Sequence, residues 1–208
     1  MDVLMIASGL WRWTGFHPEW KEDVGSVYYA APQAVVLIDP VVPREAEERF
    51  WTALDRDVER ADVPVHVLVS VYWHTRGART IVKRYGARLW APSRARAAVA
   101  RKAGKVTDPF RPGDRLPGGV EAFATARSNE VVFWLPAHGA LVPGDVLLGD
   151  SRGGIRLCPA SWLPQGVGQG KLRDSLRPLL DLQIERVLLS HGTPVLADAW
   201  RALARALA

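Results

Sequence analysis

The chain has almost no cysteine. Cys158 is the single one among 208 residues, which excludes an internal disulfide and any zinc cluster built on thiolates. One thiol also fits a reducing compartment. There is no run of about 18 apolar residues, so no membrane-spanning helix is expected. The opening stretch MDVLMIASGLWRW has neither a basic segment nor a small-residue cleavage site, and it does not read as a signal peptide. A cytoplasmic location is therefore the expectation. Internal repeats, low-complexity segments, a Gly-x-Ser-x-Gly elbow and a glycine-rich phosphate loop are all missing. So are a helix-turn-helix pattern and an aromatic-plus-basic RNA motif, and nucleic acid is not an expected partner.

What is present is an ordinary globular composition, 48% apolar and 24% charged. The length suits a single domain spanning residues 1–208, with enough chain to bury a core. Lysine and arginine exceed the acids by 27 to 22, a formal charge of +5. The arginines recur across 76–115 while acids dominate 39–62, which reads as a solvated, arginine-rich surface. Nine tryptophans are many for this length. Trp11, Trp13 and Trp20 cluster in GLWRWTGFHPEW and are expected to pack over the sheet edge or a helix. The alternatives are an apolar ligand pocket or an oligomer surface.

Along the chain, VGSVYYAA (24–31) and AVVLIDP (34–40) read as strands, the second apolar on both faces. Residues 43–61 read as a helix with Ala46, Phe50, Leu54 and Val58 on one face. VPVHVLVSV (63–71) is a strand, ARTIVKRYG (78–86) a helix closed by Gly86, ARLWAP (87–92) a strand, and 93–104 a helix capped by Ser93 and stopped by Gly104. Three strands with tight turns follow at 120–125, 130–136 and 139–145. A long loop fills 150–170, then come a helix at 171–182, a strand at 185–192 and a terminal helix at 194–208. The alternation predicts α/β layers, sheet packed on sheet with helices outside.

Three segments in this order resemble the metallo-β-lactamase-fold superfamily. VVLIDP (35–40) resembles its buried strand ending in aspartate. WLPAHGALVPGDVLLGD (134–150) is similar to its hairpin ending in Gly-Asp. VLLSHGTPVLADAWRAL (187–203) resembles its last strand, ending in His-Gly before the terminal helix. The resemblance implies an αββα sandwich of two mixed sheets with outer helices, metals at the edge where strand ends converge, and metal-assisted hydrolysis.

It also implies a His-x-His-x-Asp-His motif within LVSVYWHTRGAR (68–79), and that motif is not there. With Ser70 at the start of the loop, the ligand positions fall on Val71, Trp73, Thr75 and Arg76, and His74 falls on a spacer. Placing His74 on the second histidine leaves Tyr72, Arg76 and Gly77 at the others. Placing it on the last leaves Val69, Val71 and Trp73. A further implied histidine falls at Ala126 or Arg127. Asp145 and His191 remain, and they hold no dinuclear centre. The expected site is thus degenerate and metal-free, with a guanidinium of Arg76 or Arg127 paired to Asp145 in place of a cation. The alternative is a hydrolase with one zinc, iron or manganese ion on His74, Asp145 and His191.

Each of these residues also has a plainer reading. His191 suits a hydrogen-bonded strand end, Asp145 a turn, and His74 a polar loop. Asp39 suits an acceptor for backbone N–H groups. His66 reads as core or sheet surface, His17 and His138 as surface, and Cys158 as buried and inert. The pocket residues expected are His74, Arg76, Arg127, Asp145 and His191, serving an unidentified small molecule or protein, with an oligomer possible.

Overall fold

A computed structural model describes all residues 1–208. The chain opens with two strands that the sequence reading did not identify, β1 (Val3–Ala7) and β2 (Leu10–His17), joined at Gly9. There follow β3 (Glu22–Ala31), β4 (Ala34–Ile38), α1 (Glu47–Ala61), β5 (Val65–Leu68), α2 (Ala78–Tyr85), β6 (Arg88–Pro92), α3 (Arg96–Ala103) and β7 (Asp108–Phe110). The second half contains β8 (Glu121–Ala124), β9 (Val131–Leu135), β10 (Ala140–Val142), β11 (Leu147–Gly149), β12 (Ile155–Leu157), α4 (Gln169–Leu176), β13 (Arg186–Val187) and α5 (Ala199–Ala206).

Strands β1 to β7 form one sheet in chain order, antiparallel up to β4 and parallel from there on. A second sheet has the order β13-β10-β9-β8 and is also mixed, because β13 runs parallel to β10. The period-two alternation of side chains gives each sheet two buried faces. In β4, Val36 and Ile38 face the other sheet, while Val35 and Leu37 face the helices α1 to α3. In β9, Phe133 and Leu135 face inward, while Val132 and Trp134 meet α4, α5 and the β11–β12 hairpin. The result is three apolar layers between helix, sheet, sheet and helix, the layering that the strand pattern predicts and the αββα sandwich of two mixed sheets that the resemblance implies.

The helices follow their local signals. Helix α1 buries Phe50 and Leu54, carries Glu47 and Glu48 in its first turn, and ends at a left-handed Asp62. Gly86 closes α2 in the left-handed region, as expected. Ser93 does not cap α3. The helix starts later, after Ala95, and the Ser93 hydroxyl donates to the Phe110 carbonyl instead. No helix is long and apolar enough to cross a membrane.

The two sheets meet at one edge. Gly25 N–H in β3 donates to the Ser190 carbonyl at 2.7 Å. The buried Arg12 guanidinium donates to the carbonyls of Leu189 and Gly192. A Cβ at position 25 would lie 2.7 Å from both Arg12 Nη2 and the Leu189 oxygen, so this junction requires glycine. The seam fixes the end of the last strand against the first sheet, and the site forms there.

Candidate functional site

Four chain segments end at the seam. Asp39 follows β4 in a left-handed conformation, φ 48°. Its carboxylate accepts the Ser70 N–H at 2.8 Å through Oδ1 and the Ser70 hydroxyl at 2.5 Å through Oδ2. The chain beyond β5 then tightens into a single 3₁₀ turn, Tyr72–Thr75. Gly144 and Asp145 follow β10, and Ser190 and His191 follow β13.

The 3₁₀ turn decides where His74 goes. Spacing arithmetic for His-x-His motifs assumes extended backbone, with alternate residues on one side. In a turn of about three residues the side chains point differently, and the supposed spacer residue His74 swings fully into the interior. Its Nδ1 lies 2.8 Å from Asp39 Oδ2. With Nδ1–H donating there, a neutral ring keeps its lone pair on Nε2.

That Nε2 lies 3.0 Å from Asp145 Oδ1, and His191 Nε2 lies 3.2 Å from the same oxygen. All three side chains are buried, and their three donor atoms fall within 4.8 Å of one another. The distances are those of ion pairs, but the directions are not those of hydrogen bonds. None of the three atoms has an aligned partner. Leaving such a group unsatisfied in the interior costs about 1–3 kcal/mol.

The remaining atoms of the cluster are held. Trp73 Nε1–H donates to Asp145 Oδ2 at 2.6 Å. Asp145 N–H donates to Glu130 Oε1 at 2.6 Å. His191 Nδ1 is the exception: it lies 3.1 Å from Glu22 Oε1 at the rim but is not aligned for a hydrogen bond. Gly144 brings this segment close, because a Cβ there would meet Glu130 Oε1 at 2.7 Å and its φ is 59°. Burial alone would raise the Asp145 carboxyl, but His74 and His191 hold it well below the usual carboxylate range. Burial and the Arg76 charge act to lower His74, and the carboxylates of Asp145 and Asp39 outweigh them and leave it raised.

Neither arginine pairs with Asp145, which corrects the expectation of a guanidinium in place of a cation. Arg127 Nη1–H donates to Glu130 Oε2 at 2.6 Å and Nη2–H to the Trp162 carbonyl at 2.5 Å. Arg76, with φ 23°, donates to the carbonyls of Gly25 and Asp39 and to the Ser190 hydroxyl. It ties three strand ends together beside the cluster. The physical reason is local supply: each guanidinium meets acceptors in its own neighbourhood before it reaches Asp145.

A cavity of about 470 Å³ opens onto Asp145, lined by Trp20, Glu22, Trp73, Arg127 and Trp162 as well. Larger cavities of about 720 and 580 Å³ contain no member of the cluster. Of the five expected pocket residues, the structure thus gathers His74, Asp145 and His191 and sets Arg76 and Arg127 alongside. Sequence reasoning missed Glu130, Glu22, Trp73 and Trp162 as site residues, and assigned Asp39 only its backbone contact. The spacing Arg127-x-x-Glu130 across a turn was a usable signal for the buried pair. Trp13 packs in the core as expected, with Trp11 and Trp20 against it, and Trp20 also reaches the cavity. Cys158 is buried, and burial raises its thiol.

No protein-family model matches the chain, and no curated protein matches it in sequence. Solved structures do. A metallo-beta-lactamase from Pontibacter korlensis superposes with a TM-score of 0.73 at 17% identity, over 99% of this chain and 98% of that one. The metallo-beta-lactamase IND-7 gives 0.69 at 16% identity, over 99% and 98%. A metallo-beta-lactamase family protein from Thermus thermophilus gives 0.66 at 16%, over 97% of this chain and 79% of that one.

Proposed function

For this chain, which has the metallo-β-lactamase fold, we propose a metal-dependent hydrolase holding one ion on His74 Nε2, Asp145 Oδ1 and His191 Nε2. One observation carries the reading: three buried donor atoms lie within 4.8 Å of one another and none has a hydrogen-bond partner. Two imidazoles and a carboxylate suit zinc with an open position, and also iron or manganese. When bound, such an ion supplies Lewis acidity toward a carbonyl or phosphoryl oxygen and acidifies a water.

The chain's own residues prepare that role. Asp39 fixes the His74 tautomer and ring plane. Trp73 occupies Asp145 Oδ2 and leaves Oδ1 for the site. Glu130 holds the Asp145 backbone, and Arg76 holds the strand ends beneath it. The fewer ligands than the resemblance implies fit one ion and not two. The substrate in this reading is a small molecule entering the cavity above Asp145. We place the protein in the cytoplasm, in keeping with its one unpaired, buried thiol.

The test is metal analysis of protein purified without chelator. About one zinc, iron or manganese ion per chain is expected, lost in Asp145→Ala and kept in the peripheral His138→Ala. Metal-free protein, inactive on a panel of lactam, thioester and phosphodiester substrates and unable to take up added zinc, sinks the proposal.

A second reading rests on a different contact. His74 sits between two carboxylates, Asp39 at 2.8 Å and Asp145 at 3.0 Å. A doubly protonated imidazole there offsets the charge of both carboxylates without any ion and makes the fold a metal-free binding module. Nitrogen-resolved NMR of His74 distinguishes the two, since only this second reading places protons on both ring nitrogens in protein as purified.

A further inference from the structure

The cavity above the cluster has an unusual wall. Trp20, Trp73 and Trp162 come from three separate segments: the turn between β2 and β3, the 3₁₀ turn after β5, and the segment after β12. Their ring contacts are to histidines and neighbouring side chains and not to one another. Trp20 lies 5.4 Å from the His191 ring and 4.7 Å from His17, and Trp162 lies 6.4 Å from His191. Trp73 lies 6.4 Å from the His74 ring and has the Arg127 guanidinium 5.4 Å from its centroid. Trp162 is 44% exposed, although a large apolar ring gains from burial. Three indoles held apart around a single opening leave room for a fourth flat group.

The charges on the same wall restrict that group. Arg127 is the one cation lining the cavity, and its side chain is 2% exposed with two nitrogens committed to Glu130 and the Trp162 carbonyl. Arg76 stands behind Trp20, committed to Gly25, Asp39 and Ser190. Nε of each arginine has no partner but is buried, and the Arg127 side chain is 2% exposed, so neither guanidinium stands open to a carboxylate, sulfonate or phosphate on the ligand. The open charged group is instead Glu22, whose side chain is 49% exposed. Indole faces are electron-rich and favour neutral or cationic partners over anions.

We propose that this cavity takes a planar aromatic group bearing no negative charge, seated among Trp20, Trp73 and Trp162. It is the recognition element of the substrate and lies beside the bond to be hydrolysed. The hydrolysis part rests on the metal reading above, while the binding part stands without it.

The test is calorimetric titration of the full chain with three probes: benzamide, cyclohexanecarboxamide and benzenesulfonate. It is run on protein as purified and again after chelator treatment. Benzamide is expected to bind about tenfold more tightly than either of the other two, in both preparations. Trp162→Ala, at a half-exposed position, should weaken benzamide about fivefold with metal content unchanged, and Trp162→Phe should restore most of it. Benzenesulfonate binding as well as benzamide overturns the charge argument. Cyclohexanecarboxamide binding equally, or Trp162→Ala without effect, overturns the stacking argument. If the benzamide preference holds in protein that takes up no metal, the hydrolase reading fails and this one stands. If metal is present at one per chain and the preference is absent, this one fails alone.

Discussion

Two buried charge clusters lie side by side beneath the cavity, and they are built on opposite plans. Arg127 and Glu130 close on each other, and their outer atoms reach the Trp162 carbonyl and the Asp145 N–H. His74, Asp145 and His191 close on nothing, since their facing atoms approach within 3.2 Å without hydrogen-bond alignment. The first cluster pairs its opposite charges within the protein, with only Arg127 Nε left without a partner, and is therefore structural. The second is incomplete and therefore a place for something to bind. The pair Arg127–Glu130 also shows why the arginine does not neutralise Asp145: a nearer carboxylate already holds it, and burying a third uncompensated charge is what the fold avoids.

The largest effect expected from breaking this comparison falls on the closed cluster. Arg127→Met leaves the Glu130 carboxylate buried without its cation, which should destabilise by about 3–5 kcal/mol in urea unfolding. Arg127→Met with Glu130→Gln removes both charges and keeps an acceptor for the Asp145 N–H, so it should recover more than half of that loss. No recovery would mean that the pair is not a closed unit.

The same variant carries a pH signature. Burial pushes Glu130 up from an ordinary value of 4.5 to about 7, against the opposing pull of Arg127. A carboxyl whose folded value is raised keeps its proton longer when folded than when unfolded. Its stability contribution is therefore present below 4.5 and is lost as pH rises through 7. Without Arg127 the folded value rises further, so the Arg127→Met loss should be smaller at about pH 5 than at about pH 8. A loss equal at both pH values would show that Glu130 is not the group left uncompensated.

The two clusters differed in how legible they were. Asp145 and His191 sit at strand ends, where a rigid sheet sets the backbone, and strand-end patterns find such residues. The layering of sheet on sheet was legible through continuous apolar runs such as AVVLI and VVFWL, buried on both faces, while the mixed strand directions came only from the resemblance. His74 was read as a pocket residue, but the motif register made it a spacer, because its loop is a 3₁₀ turn and nothing in YWHT announces a change from period two to period three. Glu130 went unread because its role depends on the approach of Gly144 from another strand, a tertiary fact. Strands β1 and β2 were missed because β1 is a short, largely exposed apolar run without alternation, and the buried Arg12 between tryptophans obscures the pattern of β2. The long stretch 150–170 hid the short strand β12 and the Trp162 turn.

The open cluster is tested more finely through the atoms that orient it. Asp39→Asn is nearly isosteric, yet its amide N–H₂ would face His74 Nδ1 and turn an acceptor contact into a donor. The ring then accepts at Nδ1 and carries its proton on Nε2, where the site needs a lone pair. Metal affinity should fall about 10–100-fold in competition with a chelator, as for other residues that orient ligands. Unchanged affinity would remove Asp39 from that role and leave it the backbone and hydroxyl contacts to Ser70.

The smallest effect is expected at the rim. Glu22 lies 3.1 Å from His191 Nδ1 but is half exposed, so solvent screens the pair and water replaces it readily. Glu22→Gln still places a carbonyl oxygen beside the same ring nitrogen. Metal affinity should change by less than about 1 kcal/mol in the same competition assay. The contrast with Asp39→Asn is the informative quantity. Both carboxylates touch the outer nitrogen of a histidine, and they differ chiefly in burial and in what else can take their place. If the two substitutions weaken metal equally, burial is not what makes Asp39 effective, and Glu22 becomes a second orienting residue whose exposure to the cavity is incidental.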